Sequence, residues 1–279
     1  MPSALIYYES GTGRERVALG GAGCFIGTAA PLRGRAWSYE LTSHGINQPA
    51  RGPVEASIDI RYTTREAADR LAALADRDMA NGTPGALVCD GWRRSCLLAG
   101  EEVRDVFRDA HGSTLKVLLL DGVWRRSRTV SFKPSTGAGS GGVLDLPHDL
   151  PHDLAPLPAA PSKVEMQGLG GGPVGLVVYG PAVNPYVVVG GNTYKVTCSV
   201  PDGGYLTVDP VSEPKRVYLT DAGGTATDHY ADAELGDGEG SGEYVFERLP
   251  HGFHAVSWAG SFGFDLVLYE ESGWLPWMS

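Results

Sequence analysis

The residues whose types and spacing come nearest to a metal site are two pairs of histidines. His148 and His152 lie four residues apart, the spacing at which two imidazoles on a helix chelate zinc. Pro151 stands between them and is incompatible with a helix interior, and an extended chain would spread the two rings apart. His251 and His254 lie three residues apart in a predicted turn, where a surface role is the default. We expect no zinc site at either pair.

Two glycine-rich segments contain the residue types that bind ions. The segment from Asp221 to Gly242 is rich in carboxylates, whose oxygens are the ligands that Ca²⁺ prefers. Their spacing does not match an EF-hand loop, so we interpret the segment as a solvated loop between strands. The segment from Gly168 to Pro173 lacks the Gly-Lys-Ser/Thr ending of a phosphate loop and precedes no predicted helix, so it is interpreted as a flexible joint. We expect no metal and no cofactor.

The motifs of the common hydrolases and nucleotide-binding enzymes are missing from the sequence. It contains no Gly-x-Ser-x-Gly elbow, no His-Glu-x-x-His and no Walker sequence. Single carboxylates cannot be assigned as a glycosidase pair without their distances. The sequence therefore favours a protein that presents binding surfaces, and we expect that it is not an enzyme.

Aromatic residues are concentrated near the C-terminus of the chain. Some of them could line a groove that stacks on sugar rings, although most must fill the core: Trp258, Phe262, Phe264 and Tyr269. Trp274 and Trp277 lie beyond the last predicted strand, where aromatic side chains either seal a core or anchor a partner. Both tryptophans are therefore candidate interface residues.

The charge is distributed unevenly over the 279 residues. Residues 1–134 carry 18 Lys and Arg against 15 Asp and Glu, a net charge of +3, whereas residues 135–279 carry 5 against 18, a net charge of −13. An acidic half cannot neutralise phosphates, so specific binding to nucleic acid is disfavoured. The length fits two ordinary domains, and 39 glycines with 19 prolines favour short strands joined by turns.

The N-terminal sequence and the cysteines bear on where the protein is made. The N-terminus has no basic region followed by an apolar one, and no apolar stretch is long enough to span a bilayer, so we expect neither a signal peptide nor membrane insertion. The four cysteines form no Cys-x-x-Cys motif and lie in or beside apolar runs: Cys24, Cys89, Cys96 and Cys198. We expect buried free thiols, made in a host cytoplasm.

The first 133 residues are predicted to form a β-rich domain with one helix. Strands are expected at Ala4 to Tyr8, Arg35 to Thr42 and Val54 to Tyr62. A capping box at Thr63-Thr64-Arg65-Glu66 begins a helix that Asn81-Gly82 ends. Two hairpins follow, with tight turns at Asp90-Gly91 and Asp121-Gly122; their strands are Ala86 to Cys89 with Trp92 to Leu98, and Thr114 to Leu120 with Val123 to Phe132.

The rest of the chain is predicted to be an arm followed by an antiparallel β-sandwich. Residues 134–162 contain too many prolines for a helix or a strand and are interpreted as a linker or extended arm. Short strands bounded by turn residues follow from 163 to 279, at Val174 to Tyr179, Tyr186 to Val189, Tyr194 to Val200, Tyr205 to Val208, Arg216 to Thr220, Glu243 to Phe246, Ala255 to Trp258 and Phe264 to Tyr269.

The order of these elements resembles the siphophage distal tail protein family. The strongest correspondence is in the C-terminal half, with Tyr179-Gly180-Pro181, Asn184-Pro185, strands at Tyr194 to Val200 and Leu206 to Asp209, and Leu249-Pro250-His251-Gly252 before an aromatic strand. The resemblance implies that residues 1–133 form a tail-tube-like domain that closes into a ring, in that family a hexamer. It implies that residues 163–279 form a galectin-like sandwich that projects outward.

The resemblance also implies a function and partners. The chain would be a hub at the distal end of a long non-contractile tail, joining the major tail tube protein to the tail-tip hub protein during assembly, host adsorption and DNA passage. Tape measure and receptor-binding proteins are further expected partners. The alternative from another class is a carbohydrate-binding module for cell-wall glycan, and a hydrolytic tail-tip enzyme has no supporting residues.

Arginines on helical and hairpin faces complete the set of candidate interface residues. Ring contacts are expected before residue 134, and a solvated side chain is the alternative for each candidate. The basic candidates are Arg65, Arg70, Arg77, Arg125 and Arg126.

Overall fold

A computed structural model of the chain describes residues 6–35, 37–108, 110–134 and 162–276. Within these ranges it is mainly β with one α-helix, which confirms the predicted fold class. The residues divide into two compact units, Met1–Arg126 with Glu271–Ser279 and Ser127–Glu270. The sequence-based boundaries lie at 133 and 163. Most of the predicted arm, residues 135–161, lies outside the described residues.

The first unit is built on one antiparallel sheet in the order β3-β6-β9-β8-β7-β1-β2. The strands of this unit are β1 Ile6–Glu9, β2 Arg16–Ala18, β3 Cys24–Ile26, β4 Ser38–Thr42, β5 Gly45–Ala50, β6 Val54–Tyr62, β7 Gly85–Cys89, β8 Trp92–Phe107, β9 Ala110–Leu119 and the start of β10 Trp124–Phe132. The sheet curls until its edges meet, where the Ile26 N–H donates to the Leu19 carbonyl at 2.8 Å. The curled sheet encloses an apolar core.

The helix α1, Arg65–Asn81, forms because both of its ends are capped locally. The Thr64 hydroxyl accepts a hydrogen bond from the Ala67 N–H, and Gly82 ends the helix in the left-handed conformation. The predicted helix is thus confirmed, although Thr64 rather than Thr63 is the N-cap. The Thr63 hydroxyl instead donates to the Ala22 carbonyl, which ties the start of the helix to the β2–β3 loop.

A buried polar contact fixes α1 against the sheet. Asp78 is 1% exposed on the inner face of the helix, and its Oδ2 accepts hydrogen bonds from the Tyr8 hydroxyl at 2.7 Å and the Gly11 N–H at 2.9 Å. Burial and the contact with Asp78 raise the pKa of Tyr8, so the phenol stays protonated and donates. The carboxylate therefore links α1 to β1 and to the turn that follows β1.

The second Asp-Gly pair does not form the hairpin turn that the sequence predicted. β9 and β10 do not pair with each other; both pair with the same edge of β8, at Cys96 with Leu119 and at Arg93 with Arg125. Asp121 and Gly122 both adopt left-handed backbone angles, and they form an interruption between two strands that follow one another along β8. The first pair, Asp90-Gly91, does close the predicted β7–β8 hairpin.

The predicted strand from Arg35 to Thr42 is the first half of a hairpin that the sequence did not indicate. β4 pairs with β5 around residues 43 and 44, and every residue from Ser38 to Ala50 is exposed. No described side chain of this hairpin lies in the core.

The second unit is an antiparallel β-sandwich. One sheet has the order β19-β18-β17-β12-β22 and the other β11-β21-β14-β15. The strands are β11 Ser162–Met166, β12 Gly172–Tyr179, β13 Ala182–Val183, β14 Tyr186–Val189, β15 Asn192–Lys195, β16 Ser199–Val200, β17 Tyr205–Asp209, β18 Arg216–Thr220, β19 Ala226–Asp228, β20 Arg248–Leu249, β21 Gly252–Trp258 and β22 Phe264–Ser272. Apolar side chains from both sheets share one core.

Three sequence-based predictions for this unit need correction. The predicted strand Tyr194 to Val200 is divided between β15 and β16. The segment Glu243 to Phe246 is a turn and not a strand, and its apolar residues Val245 and Phe246 are buried as core-filling side chains. The acidic insertion contains a short strand, β19, because the Asp221 carboxylate accepts backbone N–H groups of the preceding turn and brings the chain back onto β18.

The four cysteines are free thiols, as predicted. Cys198 is half-buried, and the other three are buried in the first unit. Burial raises the pKa of Cys24 and Cys89 to about 11 and that of Cys96 to about 12, so these thiols stay protonated at neutral pH.

The buried contact of Asp78 gives a matched test of the fold. We expect Asp78→Ala to lower the free energy of unfolding by about 1–3 kcal/mol, because it leaves the buried Tyr8 hydroxyl without its acceptor. Asp76→Ala, on the exposed face of α1 two residues earlier, is expected to change it by less than about 0.5 kcal/mol. Denaturant unfolding of both variants measures the difference. Equal stabilities of the two variants would contradict the structural role of Asp78.

Candidate assembly interfaces

The arginines of α1 differ in their surroundings. Arg65 and Arg70 are exposed. Arg77 is held within its own unit, because its Nη1 donates to Glu15 Oε1 at 2.7 Å and its Nε lies 3.7 Å from Asp78 Oδ1. The hydrogen bond that Arg77 donates to Glu15 raises the pKa of Arg77. Arg77 therefore supports the fold, whereas Arg65 and Arg70 remain candidates for a contact with a partner.

Arg125 also has its partners within the first unit. Its Nε donates to Glu271 Oε1 at 2.8 Å, and its Nη1 donates to Asp121 Oδ2 at 3.2 Å. This contact holds the start of the C-terminal segment to β10. Arg126 places its guanidinium 5.0 Å from the centroid of the Trp92 ring, a cation–π distance.

The sequence allowed two roles for the aromatic residues of the C-terminal segment, sealing a core or anchoring a partner. Leu275, 1% exposed, is the side chain that joins the core of the first unit. Trp274 stays 42% exposed, with the Arg35 guanidinium 5.9 Å from its ring centroid. Trp274 is therefore placed as a surface side chain, and its role as a partner anchor stays a prediction. Trp277 lies outside the described residues.

The β4–β5 hairpin carries an apolar surface that sequence reasoning missed. Leu41 and Ile46 are directly opposite in the strand register and are 79% and 59% exposed, and Tyr39 two residues before Leu41 is 53% exposed. Glu40 and Asn47 form the adjacent register pair, which lies on the opposite face because side chains alternate along a strand. The hairpin is thus amphipathic, with its apolar face in solvent. The alternation of Tyr39, Leu41 and Ile46 about residues 43 and 44 is the signal that could have indicated it.

A second apolar surface lies on the same unit between α1 and the sheet. We call it the α1 groove; it has a volume of about 310 Å³, with a floor of Leu71, Ala75, Leu98 and Leu115. Met79, 41% exposed, lines it from the last turn of α1. Two acidic residues also line it: Asp76 is exposed, and the Glu101 side chain is 22% exposed with its Oε1 3.9 Å from His111 Nε2. The α1 groove therefore combines an apolar floor with acidic side chains.

The second unit has a groove of about 430 Å³ at the ends of β12 and β22. Tyr179 is 44% exposed there, and its hydroxyl donates to Asp265 Oδ2 at 2.7 Å, which raises the pKa of the phenol. Tyr205 is the register partner of Tyr179 on β17 and is 38% exposed. Beneath the groove, Phe132 stacks on Phe264 at 4.6 Å between ring centroids. Two exposed tyrosines beside a carboxylate can stack on a ring and accept hydrogen bonds from its substituents.

Comparison with solved structures places these surfaces on a known fold. The structure is similar to the Dit protein of phage SPP1, described as a hub of the adsorption apparatus in phages that infect Gram-positive bacteria, with a TM-score of 0.55, 12% identity, and coverage of 96% of this chain and 99% of that one. The chain has the fold of phage distal tail proteins. It is also similar to structures of the activated phage P2 baseplate with calcium and with strontium, with TM-scores of 0.62 and 0.60 and 8% identity in both.

These matches extend over nearly the whole of each protein. For the two P2 baseplate structures, they cover 99% and 98% of this chain and 100% and 99% of the compared chain. No family model matches the sequence, and no curated protein matches it significantly. At 8–12% identity the similarity to these proteins lies in the fold and hardly in the sequence.

The described residues offer neither a metal site nor a membrane-spanning helix. The described histidines, cysteines and carboxylates form no group of three that could hold a metal ion. Of the two histidine pairs, His251 and His254 lie within the described residues, and His148 and His152 lie outside them. His254 contacts the Pro250 carbonyl at 2.8 Å through its Nε2. No helix in the described ranges is both long and apolar enough to cross a membrane.

The contact between Arg125 and Glu271 can be tested by a double-mutant cycle. We expect Arg125→Ala and Glu271→Ala each to lower the free energy of unfolding by about 1–2 kcal/mol, and the double variant to lower it by less than the sum. Arg70→Ala, on the exposed face of α1, serves as the control and is expected to change stability by less than about 0.5 kcal/mol. Additive losses at Arg125 and Glu271 would show that the two side chains do not interact.

Proposed function

We propose that the protein is a structural component of a phage tail tip, placed at the distal end of the tail in the virion. The observation that carries this proposal is the whole-length likeness to phage hub and baseplate proteins, which covers 96–99% of this chain and includes both of its units. A protein whose two units both correspond to a tail component is better explained as that component than as a free binding domain with a shared fold.

The finer proposal is a homo-oligomeric ring, in which the first unit makes the contacts between copies. It is supported by the apolar β4–β5 hairpin and the α1 groove, since exposed apolar patches rimmed by polar residues mark protein interfaces. Two different patches on one unit produce head-to-tail contacts, which close into rings when the rotation permits. The family resemblance suggests six copies, the major tail tube and tail-tip hub proteins as neighbours, and tape measure and receptor-binding proteins as further partners.

The charge distribution supports a division of labour between the two halves. A net charge of +3 before residue 135 permits close packing of copies, and a net charge of −13 after it favours a solvated second unit. Charge reversal at Arg65 or Arg70 tests whether the exposed face of α1 takes part in the ring.

The ring is tested by the mass of the purified full-length chain in solution. We expect light scattering to give a multiple of 29.5 kDa that rises toward a fixed value with concentration, and negative-stain images to show rings with a central channel. A single mass of one chain at every concentration, with no ring on addition of isolated tail tubes as a template, would contradict the proposal.

A second candidate function, carbohydrate binding, is favoured by the groove at the ends of β12 and β22 in the second unit. Tyr179, Tyr205 and Asp265 provide exposed aromatic faces beside a carboxylate, the combination that recognises a sugar ring by stacking and hydrogen bonding. This activity is compatible with a tail-tip role, because it would attach the tip to cell-wall glycan.

The glycan candidate is tested with cell-wall polysaccharide fragments and the full-length chain. We expect Tyr179→Ala with Tyr205→Ala to weaken binding by about tenfold or more, since each stacked ring contributes on the order of 1 kcal/mol. Phe253→Ala, at a 74% exposed position on β21, is the matched control and is expected to leave binding unchanged. Equal loss with Phe253→Ala, or no measurable binding by the unmodified chain, would reject this candidate.

A further inference from the structure

The β4–β5 hairpin is unusual because no residue in the described ranges of its own chain covers its apolar face. A two-stranded hairpin alone is at best marginally stable in water, and stable ones pack a hydrophobic face on something else. The backbone and side-chain hydrogen bonds recorded within Ser38 to Ala50 hold the two strands to each other. The exposed Tyr39, Leu41 and Ile46 therefore indicate that the hairpin is completed by a surface outside the described residues of this copy.

The α1 groove has the complementary chemistry. Its floor is apolar, and two acidic residues line it, the exposed Asp76 and Glu101, whose side chain is part-buried beside His111. The base of the hairpin is basic, since Arg35 lies three residues before β4 and Arg51 follows β5 directly. An apolar face with a basic base thus matches an apolar floor with acidic side chains.

We propose that the β4–β5 hairpin of one copy packs Tyr39, Leu41 and Ile46 into the α1 groove of a second copy. The proposal rests on the ring function proposed above and names the two surfaces that form its contact. Each copy has one hairpin and one α1 groove, so it donates to one neighbour and receives from the other. Such a contact is heterologous, and its repetition produces a closed ring or a filament.

The first arm of the test changes the two faces of the hairpin separately in the full-length chain. Leu41→Asp places a charge in the apolar contact, and we expect it to raise the dissociation constant of the oligomer by more than about tenfold in light scattering. Asn47→Asp adds the same charge on the opposite face and is expected to leave the oligomer unchanged. Both residues are exposed, so at concentrations where the unmodified chain is monomeric both variants should unfold at its temperature.

The second arm identifies the surface that receives the hairpin. Ile46→Cys and Met79→Cys are introduced into two separately tagged chains that also carry Cys198→Ser, and the two chains are mixed and oxidised. We expect a disulfide between differently tagged copies. Thr42→Cys, on the opposite face of the hairpin, mixed with Met79→Cys should give at least about tenfold less cross-linked product, because consecutive strand residues point to opposite sides.

The outcomes separate this inference from the proposed function. Rings that persist in Leu41→Asp would overturn the hairpin contact and leave the ring intact. Loss of rings in Leu41→Asp without an Ile46–Met79 cross-link would overturn the α1 groove as the receiving surface. An unmodified chain that stays monomeric at every concentration and on tail tubes would overturn both proposals.

Discussion

The pairing of the long strand β8 is the constraint on which the first unit depends. β8 extends over 16 residues; β7 pairs with its first part on one edge, and β9 and β10 follow one another along its other edge. The buried Arg94 supports this arrangement from β8 itself, since its Nε donates to the Leu120 carbonyl at 2.9 Å at the point where β9 ends. Placing a guanidinium in the interior is costly, and burial accordingly lowers the pKa of Arg94. The hydrogen bond to the Leu120 carbonyl compensates part of that cost.

The candidate interfaces follow from the same arrangement. The middle of β8 supplies Leu98 and Glu101 to the α1 groove, and the buried carboxylate of Asp78 holds α1 to β1 beside it. The β4–β5 hairpin precedes β6 and takes no part in the curled sheet, and its apolar face is exposed. The fold thus exposes two apolar surfaces on one unit, and the head-to-tail assembly proposed above would pair one with the other.

Local signals predicted the elements whose ends are set by their own residues. Helix α1 was predicted because its caps and its apolar spacing lie within 20 residues, and the Asp90-Gly91 turn because its two strands adjoin it. Asp121-Gly122 has the same residue types and the same left-handed angles, yet β9 and β10 pair with β8 instead of each other. The strand predicted at Glu243 to Phe246 was wrong for a similar reason, since its apolar residues are buried within a turn and pair with no other strand.

For the interfaces, composition alone established the charge asymmetry between the halves and identified basic and aromatic candidates. The sequence by itself determined helix α1, most of the strands that it predicted and the mainly β fold class, because these depend on spacing and on turn residues that are neighbours in the chain. Only the tertiary structure decided that Arg77 and Arg125 bond within their own unit, that Leu275 and not Trp274 enters the core, and that Tyr39, Leu41 and Ile46 stay exposed. The physical reason is that burial and ion pairing depend on residues distant in sequence, such as Glu271 for Arg125, which no local pattern specifies.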